Sequence, residues 1–109
     1  MRVIFIPEVQ DYLDSLIPIL YKNEYFGFED SAIKYVDDLI DDIKDNLPTC
    51  THRPAPKYFD KYGKGMFYAA FRKNKQTIWY PFFTKYKENN NTIYLVRYIA
   101  NNHTIAQYL

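Results

Sequence analysis

The stretch Ile93-Tyr94-Leu95-Val96-Arg97-Tyr98-Ile99-Ala100-Asn101-Asn102-His103 is an apolar run broken by one arginine and closed by two asparagines and a histidine. β-Branched and aromatic side chains dominate it, so residues 92–100 are expected to form a strand. Strict alternation then assigns Ile93, Leu95, Arg97 and Ile99 to one face and Tyr94, Val96, Tyr98 and Ala100 to the other. A guanidinium among aliphatic neighbours has to reach water or find an anion, because an unpaired buried charge costs on the order of 3–5 kcal/mol. Arg97 is therefore either a structural ion pair or snorkelling side chain, or an anion contact, for which its planar donor fork suits phosphate.

Working outward from this run, residues 67–72 and 77–86 have the same aromatic, β-branched character and read as two more strands. Short polar stretches at 73–76 and 87–91 separate them and suit hairpin turns. Upstream, Pro48, Pro54 and Pro56 interrupt periodicity in a loop, and Tyr58-Phe59 is a possible extra short strand. Before that loop the period changes. Ile33, Val36, Leu39, Ile40, Ile43 and Leu47 form one helical stripe, with Asp37, Asp38, Asp41, Asp42 and Asp45 along the other side. Asp30 or Ser31 is available as its cap, after a turn over residues 23–28. Val9, Tyr12, Leu13, Leu16, Ile17 and Leu20 give an earlier helix over residues 8–23, in which Pro18 removes a backbone donor and is expected to cause a kink. Residues 1–6 make a first strand closed by Pro7.

The expected fold is α+β: an N-terminal strand, then two antiparallel helices packed on an antiparallel sheet that a C-terminal three-stranded meander completes. At 109 residues the chain is expected to be one domain, residues 1–109. Its single cysteine, Cys50, excludes an internal disulfide and a multi-cysteine metal site. No metal, cofactor or membrane span is expected, and a cytoplasmic setting is.

The net charge of +1 conceals an asymmetry. Residues 1–46 hold four Lys/Arg against eleven Asp/Glu, a balance of −7, whereas residues 47–109 hold ten against two, a balance of +8. Placed on different faces, these halves would make a dipole whose basic side could meet phosphate. They could equally be acidic helices on a basic sheet. Lys57, Lys61, Lys64, Arg72, Lys73 and Lys75 interleave with Tyr58, Phe59, Tyr62, Phe67 and Tyr68, a mixture that suits single-stranded nucleic acid or simply exposed turn lysines over a tyrosine-rich core. Lys61, Lys64, Lys73 and Lys75 are the candidate RNA- or phosphate-binding residues, and Arg72, Arg97 and His103 the candidate catalytic ones. His52, inside the proline loop, is a weaker candidate for such chemistry than His103.

The order of elements, with Lys61-Tyr62-Gly63-Lys64-Gly65-Met66-Phe67-Tyr68-Ala69-Ala70-Phe71-Arg72 and Leu95-Val96-Arg97-Tyr98-Ile99, resembles the RelE/ParE superfamily of bacterial type II toxin–antitoxin toxins. Arg97 falls at the family's strand arginine, whereas His103 comes later than the family's histidine. The resemblance implies a growth-inhibiting toxin neutralised by a cognate antitoxin protein. RelE-like members are ribosome-dependent mRNA endonucleases that activate a ribose 2′-hydroxyl and stabilise the developing charge with Arg and Lys. Lys64, Arg72 and Arg97 could fill those roles, and His103 or Tyr108 the proton transfer. ParE-like members inhibit DNA gyrase instead, and a non-catalytic interaction module of the same fold is a further alternative.

Overall fold

The computed structural model describes residues 1–22 and 29–109; the turn expected over 23–28 lies outside them. The chain runs through strand β1 (Arg2–Phe5), helices α1 (Pro7–Lys22) and α2 (Glu29–Asn46), strand β2 (Arg53–Pro54) and a 3-10 helix (Lys57–Tyr62). Strands β3 (Phe67–Tyr68), β4 (Phe71–Arg72), β5 (Ile78–Glu88) and β6 (Asn91–Asn101) follow, then helix α3 (Asn102–Ile105) and a 3-10 turn (Ala106–Tyr108). The protein is α+β, with an N-terminal strand, two helices and a mixed six-stranded sheet in the order β1-β6-β5-β3-β2, β4 also pairing with β5. The sheet is mixed, not antiparallel as expected, because β1 lies parallel to β6, with Phe5 opposite Val96. The two helices between β1 and the rest of the sheet supply the crossover that such pairing needs.

β5 and β6 form the longest pairing in the molecule, from Trp79 opposite Asn101 to Glu88 opposite Asn91. Their turn is Asn89-Asn90, with φ of +51° and +69°. Two residues at positive φ are what the right-handed twist of a two-residue hairpin requires, and asparagine tolerates that region. The turn is thus shorter than the 87–91 stretch suggested.

The single strand expected over 67–72 is two short ones. Phe67 pairs with Phe83 and Phe71 with Trp79, so both halves keep one register against β5, and Ala69 between them faces Pro81. The N–H of Ala69 donates to the Pro81 carbonyl at 3.3 Å, but Pro81 has no N–H to return, and the ladder lapses there. Tyr58-Phe59 is not a strand. Phe59 N–H donates to the Pro56 carbonyl at 3.0 Å, closing a 3-10 turn that buries the Phe59 ring against Phe82, centroids 4.3 Å apart.

Two cores flank the sheet. On the helical side, Val9, Leu13 and Leu16 of α1 and Val36, Leu39 and Ile43 of α2 pack on Trp79, Phe83, Tyr94, Val96 and Ile99. The helical stripes thus form largely as expected, except that Ile33 and Tyr12 are exposed, and α1 continues through Pro18. The opposite face carries a smaller core of Phe59, Met66, Phe82, Ala100 and Ile105, with Tyr62, Tyr68, Tyr80 and Tyr98 around it. This is where much of the aromatic excess goes.

A register shift between Phe82 and Phe83 sets which β6 residue enters which core. Phe83 faces Val96 and Phe82 faces Tyr98, so Arg97 has no partner across the ladder. Beyond this bulge the alternation inverts: Ile99 joins Val96 in the helical-side core, while Tyr98 and Ala100 join the aromatic one. The expected face shared by Ile93, Leu95, Arg97 and Ile99 is thereby broken after Arg97.

Because Asn90 holds a left-handed conformation, Asn90→Gly should stabilise the fold by roughly 0.5 kcal/mol, raising the Tm by about 2–4 °C. Asn90→Val should lower stability by about 1 kcal/mol or more. Thermal unfolding followed by circular dichroism checks both signs.

Candidate functional site

β1 ends at Phe5 because Pro7 follows, and the last contact along its line is Ile6 N–H to the Val96 carbonyl at 3.1 Å. From Arg97 to Ala100 the outer edge of β6 therefore has no neighbouring strand. Since the Pro81 carbonyl points to Ala69, its partner Ile99 turns its own N–H and C=O away from β5, toward that open edge. A cavity of about 580 Å³ lies there. Its walls are Glu8, Val9 and Tyr12 from α1, Lys61 and Tyr62 from the 3-10 helix, residues 97–100 of β6, and Thr104.

Arg97 enters this cavity from the bulge, half-buried. Its Nε–H donates to Thr84 Oγ1 at 3.2 Å, which fixes the guanidinium. Among the described residues the only ion pair is Lys34–Asp38 at 2.9 Å on the exposed side of α2, so none of their carboxylates is ion-paired with Arg97. Its stem passes close to the main chain at Gly63: a Cβ there would lie 2.9 Å from Arg97 Cδ and 3.2 Å from Met66 Sδ. Gly63 is thus required by close approach, and it links the Tyr62-Gly63-Lys64-Gly65 turn to the arginine.

Lys61 is exposed and held over two phenol rings, its Nζ 4.0 Å from the Tyr58 centroid and 5.5 Å from that of Tyr62. A hydrogen bond with Lys61, then one with Tyr108, lowers the Tyr58 pKa, and the same bond with Tyr58 raises that of Lys61. Tyr108 stacks on Tyr58, centroids 3.7 Å apart and planes 3° from parallel. Tyr62 stacks on Tyr98 in the same way, at 3.8 Å and 5°. Burial, followed by a hydrogen bond with Tyr62, pushes the Tyr98 hydroxyl well above its ordinary range.

Of the residues singled out in the sequence, Lys61 and Arg97 come together. Lys64 is exposed on the neighbouring turn. Arg72, Lys73, Lys75 and His103 gather elsewhere, around the turn 73–77. Arg72 Nη1 donates to the carbonyls of Asn74 at 3.3 Å and Lys75 at 3.0 Å, tying that turn rather than presenting its charge. Lys73 Nζ sits 5.1 Å from the Tyr35 ring centroid. His103, in the first turn of α3, approaches Thr77 Oγ1 with Nε2 at 3.3 Å. Tyr108 buttresses Tyr58 and does not line the cavity.

His52 is structural: its Nε2–H donates to the Leu47 carbonyl at 2.6 Å, and its ring meets Phe83 edge-on at 4.9 Å. Burial raises the Cys50 thiol pKa, and the thiol donates to the same Leu47 carbonyl at 3.4 Å. Among the described residues no group of three His, Cys, Asp or Glu could hold a metal ion. No described helix is long and apolar enough to cross a membrane. Glu8, Tyr12 and Thr84 are site residues that sequence reading missed. None had a local signal: even Glu8 is an acid in the first turn of α1, where acids are ordinary. No family model, curated protein or solved structure matches this chain.

Adding a methyl at Gly63 should displace the Arg97 stem and break its bond to Thr84. In Gly63→Ala the Arg97 Nε–H resonance should move, while stability falls by about 1–3 kcal/mol; an unmoved resonance refutes the contact. Tyr98 makes a second, pH-dependent prediction. Its folded pKa is raised, so its contribution to stability is complete below its ordinary value of 10.0 and is lost as pH rises through the folded value. The urea midpoint of Tyr98→Phe should therefore fall less steeply than that of the wild type above about pH 10.

Proposed function

We propose that this protein is a RelE/ParE-type toxin of a type II toxin–antitoxin system, acting as a ribosome-dependent mRNA endonuclease. The observation that carries this reading is the meeting of Arg97 and Lys61, neither ion-paired with a carboxylate among the described residues, on one cavity with Glu8 and two stacked tyrosines. The strand–helix–helix–sheet order supports it as well.

A phosphodiester in the cavity accepts hydrogen bonds from the free guanidinium nitrogens of Arg97 and from Lys61 Nζ. The charge of both grows in value as the phosphorus becomes five-coordinate. Glu8 is the carboxylate on the cavity wall, and it takes the proton of the 2′-hydroxyl. The 2′-oxygen then bonds to phosphorus, the bond to the 5′-oxygen breaks, and that oxygen takes a proton from water, leaving a 2′,3′-cyclic phosphate and a 5′-hydroxyl. The open edge of β6 leaves room for an extended strand. The antitoxin is a protein that covers this edge or the cavity.

Induced expression, with growth, ribosome-bound mRNA cleavage and gyrase supercoiling followed in parallel, tests the reading. Arg97→Ala and Lys61→Ala should each lower cleavage by about 10²–10³-fold. Lys75→Ala should leave the rate nearly unchanged, because Lys75 lies outside this cavity. Growth arrest with inhibited supercoiling and intact mRNA would transfer the protein to the gyrase-inhibiting class, and no arrest would remove the toxin reading.

A further inference from the structure

A second cavity, of about 470 Å³, adjoins the first across the Tyr12 ring, which lines both. Its chemistry differs. None of its described lining residues is Asp, Glu, Lys or Arg. Tyr12, Tyr35 and Trp79 form an aromatic wall, with Tyr12 edge-on to Trp79 at 6.4 Å and Trp79 Nε1–H donating to Tyr35 Oη at 3.0 Å. Asn74, Asn101, Thr77 and His103 form the polar rim.

The two asparagines are oriented by the main chain. Asn74 Oδ1 accepts from the N–H groups of Gln76 and Thr77, both at 2.9 Å. Asn101 Oδ1 accepts from His103 N–H at 3.0 Å and caps α3. With each amide oxygen engaged, what the two asparagines offer a ligand is a pair of NH2 donors. The complement is a flat, uncharged ring with hydrogen-bond acceptors along one edge.

We infer that this cavity binds a purine base with two adjacent acceptors, guanine in preference to adenine or a pyrimidine. The base stacks on Tyr12, which is 39% exposed, and turns its O6 and N7 acceptors to Asn74 and Asn101. Because Tyr12 also walls the Arg97 cavity, a nucleotide base stacked there has its backbone beside Arg97 and Lys61. The inference rests on the ribonuclease reading for its choice of a nucleobase as the ring.

Trp79 is the only tryptophan in the chain and stands in the cavity wall, so its single indole N–H resonance reports occupancy. Guanosine 5′-monophosphate should shift it saturably, adenosine and uridine 5′-monophosphates should do so at least tenfold more weakly, and inorganic phosphate should leave it unmoved. Asn74→Asp and Asn101→Asp keep the oxygen that holds the main chain and remove the NH2 donor. Each should weaken guanosine monophosphate binding by about tenfold, the loss of one good base contact. Tyr12→Ala should abolish it. No shift with guanosine monophosphate, equal shifts with all three nucleotides, or undiminished affinity in both aspartate variants would overturn the inference. Guanosine monophosphate binding without any mRNA cleavage would count against the ribonuclease reading alone, whereas cleavage without binding would remove only the base site.

Discussion

The register shift opposite Phe82 and Phe83 is the constraint on which the rest of the structure depends. A β6 strand with unbroken alternation would send Tyr98 and Ala100 toward the helices with Val96, and would leave Ile99 facing the aromatic side. One extra residue at Arg97 reverses this. It delivers Ile99 to the core beneath α1 and α2, frees Tyr98 to stack on Tyr62, and leaves Arg97 outside both cores. The bulge thus reconciles two demands on one strand, a double-sided core and a side chain that must stay in reach of solvent.

The neighbouring parts follow from the same point. β1 stops opposite Val96, one residue before the bulge, so the pairing edge ends where the strand bends. Pro7 and Pro81 act together here. Pro7 closes β1 and starts α1, and Pro81 fixes which main-chain groups of its partner Ile99 turn outward. A cavity at an open strand edge costs little in lost core, because both hydrophobic layers are already complete on either side of it.

Periodicity made the helices legible: Val36, Leu39, Ile43 and Leu47 are buried and Asp37, Asp38, Asp41 and Asp45 exposed. The longer strands were legible for the same reason. What alternation cannot express is a bulge, since Leu95-Val96-Arg97-Tyr98 carries no glycine or proline to mark one. The division of residues 67–72 was equally hidden, because its cause sits across the sheet at Pro81. Within the site, Arg97 stood out as a charge in an apolar run, and Lys61 belonged to a basic-aromatic stretch. Their separation from Arg72, Lys73 and Lys75 was not readable, because composition pools residues that a 3-10 turn and a hairpin send to different places. Glu8 and Tyr12 were hidden by their helix, where a surface acid and a stripe aromatic are ordinary.

The aromatic excess has a related consequence for the placement of charge. A lysine on a turn is normally a mobile, well-solvated point charge that loses much side-chain entropy when it is fixed. Lys61 instead lies over the face of Tyr58, and Tyr58 is itself held flat by Tyr108 from the last turn of the chain. The second ring near the same cation, Tyr62 at 5.5 Å, is stacked on Tyr98 of β6. Two parallel ring pairs therefore narrow the volume that the ammonium can explore, and the quadrupoles of the nearer rings favour its charge. Arg97 is ordered by a different means, a single bond from Nε to Thr84 that leaves the far nitrogens of its fork outward. Both cations are thus positioned without an ion pair to any carboxylate among the described residues, and their charge remains available to an anion that comes from outside the fold.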